Sequence, residues 1–332
     1  MTLPKTMTEQ LNFKDVIATS PVIFAIGVAG DSGSGKTTFT RVIREIFGEG
    51  LTSTISLDDY HIYDRTQRRE RNITPLSPQA NDFDLLVKHL ADLKQGKTIE
   101  KPVYNHTTGT IEPPVPFTPT KILILEGLHT FATPALRRLL DFTIFVDPAD
   151  EVKASWKLAR DMRRRGYAKE EVLREMEVRE PDYRAYVAPQ RGVADAIISI
   201  AFSRYGREKG DSDNIYAVTL LQEKQDRTIE NISLTFDLFS MCSLSDRDFL
   251  LEFREQYLDG RRMGAITFDG ELQYGVIHRL ERTVEEQTGV HPVSMFAGRS
   301  YVNASDVIQL ILSWRIINKR IYIAMRGDAE GE

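Results

Sequence analysis

Apolar and polar positions alternate in blocks along the first two thirds of the chain. PVIFAIGVA (Pro21–Ala29) is an apolar run ending at a Gly/Ser-rich turn, and it predicts a buried strand. From Lys36 to Phe47, Phe39, Val42, Ile43 and Ile46 fall on one face of a helix. LTSTISL predicts a second short strand, followed by a polar loop, DDYHIYDRTQRRERN. NDFDLLVKHLADLKQG has helical spacing at Leu85, Leu86, His89, Leu90 and Leu93, with Gly96 as its stop. KPVYNHTTGTIEPPVPF predicts a hairpin and then a Pro-rich connector. KILILEG and DFTIFVD predict two more strands. Helices are expected from about Asp150 to Gly166 and about Lys169 to Ala188, with ADAIISIAF as a closing strand. Apolar runs alternating with helical patterns predict an α/β fold, a mostly parallel sheet covered by helices on both faces.

The pattern changes near SRYGREKGDSDN, Ser203 to Asn214, which reads as a linker or long loop. Beyond it, NIYAVTLLQ and NISLTFDLF look like strands, and DFLLEFREQYLD and LQYGVIHRLERTVEEQTG like helices. DVIQLILSWRII and KRIYIAMRG complete an α+β pattern without a chemical motif. The expected division is a domain over 1–207, with its core at 22–202, and a smaller α+β region over 208–332.

Composition narrows the partners. The chain has 332 residues and a formal net charge of −5, so no global basic field calls for nucleic acid or an anionic membrane. Arginine is instead clustered locally, at Arg68–Arg71 and Arg160–Arg165, which suits small anionic ligands. The lone cysteine, Cys242, rules out an intrachain disulfide and a multi-cysteine metal site. No apolar stretch approaches the ~20 residues of a membrane span. The first residues lack the basic start and apolar core of a signal peptide, so a cytoplasmic protein is expected.

Gly30-Asp31-Ser32-Gly33-Ser34-Gly35-Lys36-Thr37 fits G-x-x-x-x-G-K-[ST]. Such a loop points successive backbone N–H groups at phosphate oxygens, and the helix behind it adds partial positive charge. Residues from Gly30 through Thr38 are thus candidate phosphate contacts. Lys36 can reach the β/γ-phosphates, and the Thr37 hydroxyl can hold Mg²⁺. The strand before and the helix after make this more than a chance Gly/Ser turn. Glu126 ends an apolar strand, where a carboxylate faces the ligand crevice of an open α/β sheet and could hold Mg²⁺; otherwise it is a surface acid starting a turn.

Asp58 and Asp59 follow another strand. A carboxylate there could take the proton of an acceptor hydroxyl as it attacks the γ-phosphorus, with His61 and Arg65 suited to a second anion; alternatively the two acids only cap a helix. Along EVKASWKLARDMRRRG, Lys157, Arg160, Asp161 and Arg165 share a roughly 140° arc at about 100° per residue. Val152, Trp156, Ala159 and Met162 lie opposite and are expected to face the core. The cationic arc is either a solvated face or a lid, with cations for a transferring phosphoryl group and Asp161 near Mg²⁺. Tyr104, Asn105 and His106 on the hairpin are as readily structural as functional.

GDSGSGKTTF, SLDDYHIYDRTQRRE, NDFDLL, KPVYNHTTG, ILILEGLH and WKLARDMRRRG occur in this order. Together they resemble the phosphoribulokinase members of the P-loop family that also contains uridine kinase, over about Val22 to Phe202. The resemblance implies a P-loop kinase fold and Mg²⁺/ATP-dependent phosphorylation of the C1 hydroxyl of D-ribulose 5-phosphate, giving ribulose 1,5-bisphosphate. It implies Asp58 as the base, and His61, Arg65, Tyr104 and His106 as sugar-phosphate contacts. Glu126 matches the strand-end acid, and Lys157, Arg160, Asp161 and Arg165 the lid. A homodimer is expected on the same ground. Light-regulated plant members carry one cysteine in the P-loop and one just before LDDYH. Ser34 and Ser56 stand at those positions here, so that thiol switch is chemically impossible, which suggests an archaeal-type branch. A kinase of uridine or another phosphosugar, and a P-loop regulator working through its C-terminal half, are the competing expectations.

Overall fold

The computed structural model describes residues 17–165, 168–205, 215–223, 247–288, 296 and 298–329. The chain divides into two compact units, one formed by 23–40 and 52–198, the other including 41–51 and the residues from 199 onward.

In the first unit, β1 (Phe24–Gly30) is buried along its whole length. It runs parallel to β5 (Ile122–Gly127) on one side and β6 (Phe142–Pro148) on the other. β2 (Thr52–Ser56) extends the sheet beyond β5, also parallel, and β7 (Ala196–Phe202) follows β6. β1, β5 and β6 are mostly apolar and buried because both faces are covered, as expected for a parallel sheet, whereas the edge strand β2 (TSTIS) is mostly hydroxyl-bearing. On one face, Leu86, Leu90 and Leu93 of α3 (Phe83–Lys94) pack with Ala25, Ile55, Leu123 and Leu125. The parallel arrangement brings the C-terminal ends of β1, β2 and β5 to one edge, with Val28 in register with Glu126 and Ser56 also opposite Glu126.

Three expectations are corrected in this unit. The "polar loop" after β2 contains a 3-10 turn, Leu57–Tyr60, and the helix α2 (Arg65–Glu70). Asp64 caps that helix, accepting from the Gln67 backbone N–H while the Gln67 side chain accepts from Asp64 N–H. That reciprocal cap starts a helix too short to show periodicity. The Pro-rich "connector" is strand β4 (Thr110–Phe117), antiparallel to β3 (Ile99–Asn105). Pro113, Pro114 and Pro116 are tolerated because β4 pairs on one side only. The second long helix stops early. α5 (Asp150–Arg165) is followed by α6 (Lys169–Asp182), and with Pro181 inside α6 the backbone passes into a π-helical turn at Tyr183–Val187.

In the second unit, β8 (Tyr216–Glu223), β9 (Phe249–Leu258) and β11 (Tyr301–Asn303) all pair antiparallel with β10 (Arg261–Gln273). The helix expected over DFLLEFREQYLD is β9. Phe249, Leu251, Phe253 and Tyr257 share one strand face, a period of two hidden by Leu250 and Leu258 on the other. β10 was not anticipated at all. α7 (Tyr274–Thr288) falls where a helix is expected, and DVIQLILSWRII and KRIYIAMRG, left unassigned within the α+β pattern, form one helix, α8 (Ala304–Ala329). The expected strand NISLTFDLF, the linker after Tyr205 and Cys242 lie outside the described residues. Among the described residues no helix is long and apolar enough to cross a membrane.

Candidate active site

The phosphate loop joins β1 to helix α1 (Lys36–Phe47), with Gly30, Gly33 and Gly35 at φ of 152°, 81° and 89°. At Gly30 a Cβ would lie 2.5 Å from the Val146 carbonyl oxygen, and at Gly35 it would meet the Trp156 ring at 3.1 Å. Only glycine fits both the backbone conformation and the space. The Lys36 ammonium donates to the carbonyls of Gly30 (2.9 Å) and Asp31 (2.6 Å). Burial holds its pKa below the ordinary lysine range, against the pull of Asp31, Asp58 and Glu126. Asp31 Oδ1 accepts from Ser32 N–H at 2.6 Å and the Asp31 carbonyl from Ser34 N–H at 3.2 Å, so the loop is braced from within. The Ser34 hydroxyl is buried without a hydrogen-bond partner. Thr37 and Thr38 are exposed on the first turn of α1.

Glu126 stands at the end of β5, beside this turn. Thr37 Oγ1 donates to its Oε1 at 3.3 Å and Thr40 Oγ1 to its Oε2 at 2.7 Å. A carboxylate and a hydroxyl held together are hard oxygen donors of the kind that suit Mg²⁺ alongside phosphate oxygens. Asp161, on α5, is fully buried and accepts from Arg160 Nε (2.8 Å) and Nη2 (3.2 Å). Among the described residues, no three His, Cys, Asp or Glu side chains form a metal-sized cluster.

Helix α5 turns its cationic side toward the loop, the placement of the lid alternative, and it is the arc expected to face the core that departs from expectation. Lys153 and Lys157 are buried, whereas Ala159 and Met162 of the apolar arc are exposed; Val152 alone of that arc is fully buried. The Arg160 guanidinium lies 3.4 Å from the Ser32 hydroxyl, and Lys157 Cβ is 3.7 Å from where a Gly33 Cβ would stand. Burial, then Arg179, lowers the pKa of Lys157. The basic face is inside because the loop covers it. Arg165 ends α5, and its side chain lies outside the described residues.

A second cluster forms around Asp58, whose side chain is one third exposed on the 3-10 turn after β2. His61 Nε2 is 3.8 Å from Asp58 Oδ1, and His106 Nε2, at the end of the hairpin's first strand, is 3.4 Å from Oδ2. Asn81 donates to the carbonyls of Pro75 and Ser77, which turns its own oxygen toward His61 Nδ1 at 2.9 Å. The network therefore assigns the proton of a neutral His61 to Nδ1 and leaves Nε2 as an acceptor toward Asp58. Burial, chiefly, keeps the His61 pKa below the usual histidine value, with Arg68 and His106 working in the same direction and Asp58 against it. Tyr104 sits between His61 and His106, edge to face with both at 5.1 and 5.3 Å.

Arg65 donates to the His106 carbonyl at 2.6 Å and packs on Gly109, where a Cβ would come within 2.8 Å of it. Asp59 accepts from Tyr104 N–H at 3.0 Å and from Lys101 at 2.5 Å, tying the 3-10 turn to the hairpin. Tyr60 is buried against His89.

Three residues here were not singled out individually. Arg68 is buried, donating to the Tyr104 hydroxyl at 2.7 Å and the Tyr63 carbonyl at 2.6 Å. His129, three residues past Glu126, is buried against Phe83, and burial lowers its pKa to about 4. Gln190 pins the His129 loop, accepting from Phe131 N–H at 3.0 Å and donating to the Leu128 carbonyl at 2.7 Å. The arginine cluster at 68–71 pointed to the first. Nothing local in sequence marks the other two, whose partners are remote.

A family model described as "Phosphoribulokinase / Uridine kinase family" matches residues 25–203. A phosphoribulokinase of Synechocystis sp. is 42% identical over 202 residues, covering 61% of this chain and 60% of that protein. A uridine kinase of Ligilactobacillus salivarius is 38% identical over 182 residues, covering 54% of this chain and 84% of that protein. The chain spans 48% to 60% of the length of the phosphoribulokinases it matches first. In fold, the structure of a phosphoribulokinase from Rhodobacter spheroides aligns over 91% of this chain and 99% of that one, with a TM-score of 0.52 and 17% identity.

Proposed function

The chain belongs to the phosphoribulokinase / uridine kinase family, a family of ATP-using P-loop kinases, and from that premise we propose that it phosphorylates the C1 hydroxyl of D-ribulose 5-phosphate. The observation that carries the reading is the acceptor side: a carboxylate, Asp58, flanked at 3.8 and 3.4 Å by two imidazoles, with Arg65 beside one of them. Arg65 and His106 beside a single base suit an acceptor that is itself an anion better than a neutral nucleoside. The 42% identity to a phosphoribulokinase supports it.

In this reading Asp58 takes the proton of the C1 hydroxyl as that oxygen bonds to the γ-phosphorus, and the bond from phosphorus to the β,γ-bridging oxygen breaks. Such general-base help contributes roughly 10²–10⁴-fold. His61 Nε2, an acceptor beside the base, orients a hydroxyl. Lys36, Lys157 and Arg160 stabilise charge on the transferring group from a preorganised, water-poor setting. Asp161, held in Arg160's fork, fixes that guanidinium rather than touching the phosphate. Thr37 and Glu126 are the residues that would hold Mg²⁺, which neutralises phosphate charge when bound. His61, Arg65, Tyr104 and His106 hold the sugar phosphate.

The similarity to a uridine kinase over 84% of that protein favours a second reading, transfer to uridine. A coupled ADP-release assay with Mg·ATP and ribulose 5-phosphate, ribose 5-phosphate, uridine and fructose 6-phosphate separates them. Fast turnover with ribulose 5-phosphate alone is expected. Turnover with uridine alone would replace the proposal and remove the roles given to His61 and Arg65.

A further inference from the structure

The phosphate loop carries an acid, Asp31, where its ligand would be an anion. Its carboxylate has a structural use, since Oδ1 accepts from Ser32 N–H at 2.6 Å and holds the loop's first turn. Left unbalanced, the same charge would oppose every phosphate oxygen brought into the cradle. The balancing cation is Lys153. It lies one turn before Lys157 on α5, is 4% exposed, and places its ammonium 3.4 Å from Asp31 Oδ2. Asp150 is also near, at 3.2 Å, but its side chain is 86% exposed and well hydrated, so Asp31 is the partner that matters electrostatically. The ammonium sits 4.4 Å from the ring centre of Tyr183, the first residue of the π-helical turn. The next residue back, Asp182, accepts from the Thr74 hydroxyl at 2.5 Å. Lys153 is therefore held between the loop's Asp31 and the Tyr183 ring, with Asp150 of its own helix beside it. Burial pulls its pKa down, but Asp31 and Asp150 outweigh this and keep it above the ordinary value, so it stays charged.

We infer that Lys153 is a positioning residue of the phosphate loop: it neutralises Asp31, so that the loop keeps its internal brace without repelling a triphosphate. With Lys157 and Arg160 it forms an i, i+4, i+7 stripe facing the loop, the other two directed at the phosphates and Lys153 at the loop's own acid. The inference rests on the nucleotide reading of this loop.

Calorimetric titration of the full chain with Mg·ATP tests it. Lys153→Met should weaken ATP binding about tenfold or more, because a buried carboxylate is left uncompensated, while Lys153→Arg stays within about threefold. The distinguishing variant is the double one: Asp31→Asn with Lys153→Met should return to within about threefold of the parent, a non-additivity that simple structural damage would not produce. The KM for the acceptor should stay constant across the set. Unchanged ATP binding in Lys153→Met, or a double variant no better than the single one, overturns the inference. Should Lys153→Met fail to fold, Lys153→Gln decides: ATP binding weakened about tenfold is expected, and binding within about threefold of the parent overturns the inference. A parent chain that binds no Mg·ATP would instead overturn the nucleotide reading, and the inference with it.

Discussion

In the proposed phosphate half of the site one loop, Gly30 to Thr37, offers mostly backbone, with Glu126 and the α5 cations Lys157 and Arg160 beside it. In the acceptor half, Asp58, His61, Arg65 and His106 come from a 3-10 turn, the start of α2 and the end of a hairpin strand, and they are held by Asn81, Arg68 and Asp59 from behind. A site made of consecutive backbone is secured by glycine conformations. A site made of separate side chains depends on the side chains that aim them. Outside Lys36, Thr37 and the Asp31–Lys153 pair, the first half should tolerate changes of side chain; the second should be sensitive one layer out.

The largest test of that contrast is Asp58→Asn. It should cut turnover by about 10²–10⁴-fold while ATP binding stays within about twofold. Turnover near the parental rate in the coupled assay would remove Asp58 from the chemistry. Arg65→Ala should raise the KM for the sugar phosphate about tenfold or more, with kcat little changed, through loss of a charge-assisted contact. An effect on the ATP KM alone would move Arg65 to the other half. Asn81→Leu should act at one remove. By freeing the His61 proton from Nδ1 it should lower kcat a few-fold and shift the pH–rate profile, a shift that mere loosening would not produce.

A smaller effect concerns stability. His129 is neutral in the fold with a pKa of about 4, against an ordinary value near 6.5 in the unfolded chain. Between those values the unfolded chain binds the extra proton, so stability falls as pH drops through this window, by at most about 1.4 kcal/mol per unit from this group. His129→Phe should flatten that slope in chemical denaturation measured from pH 6.5 to 4.5. An unchanged slope would assign the acid sensitivity to other groups. Smallest of all, oxidant and reductant should leave activity unaltered, since serines occupy positions 34 and 56. A large reversible loss on oxidation would contradict this.

Legibility in sequence followed the same contrast. The parallel sheet could be read because β1, β5 and β6 are mainly apolar runs, and the phosphate loop because its residues are adjacent. Asp58, His61, Arg65 and His106 could be named, but not Asn81 or His129, because what aims a side chain is usually distant in the chain. For α5 the spacing leaves a lid and a solvated face both open, and its apolar arc, of which only Val152 is fully buried, misleads; the loop packed on the cationic stripe is what makes its burial affordable. In the second unit no motif was present to correct the periodicity. β9 was therefore taken for a helix, and β10, with Gly264 and Gly270 interrupting its apolar positions, gave no strand signal.

The hairpin that brings His106 to Asp58 has one further property. Three of the eight residues of β4 are prolines, and a proline nitrogen has no hydrogen to donate. A solvent-facing ribbon of two strands is ordinarily a seed on which colliding molecules add strands and grow into aggregates. With its donors deleted in three places, this ribbon makes a poor seed, so concentrated protein should resist fibril growth from that face.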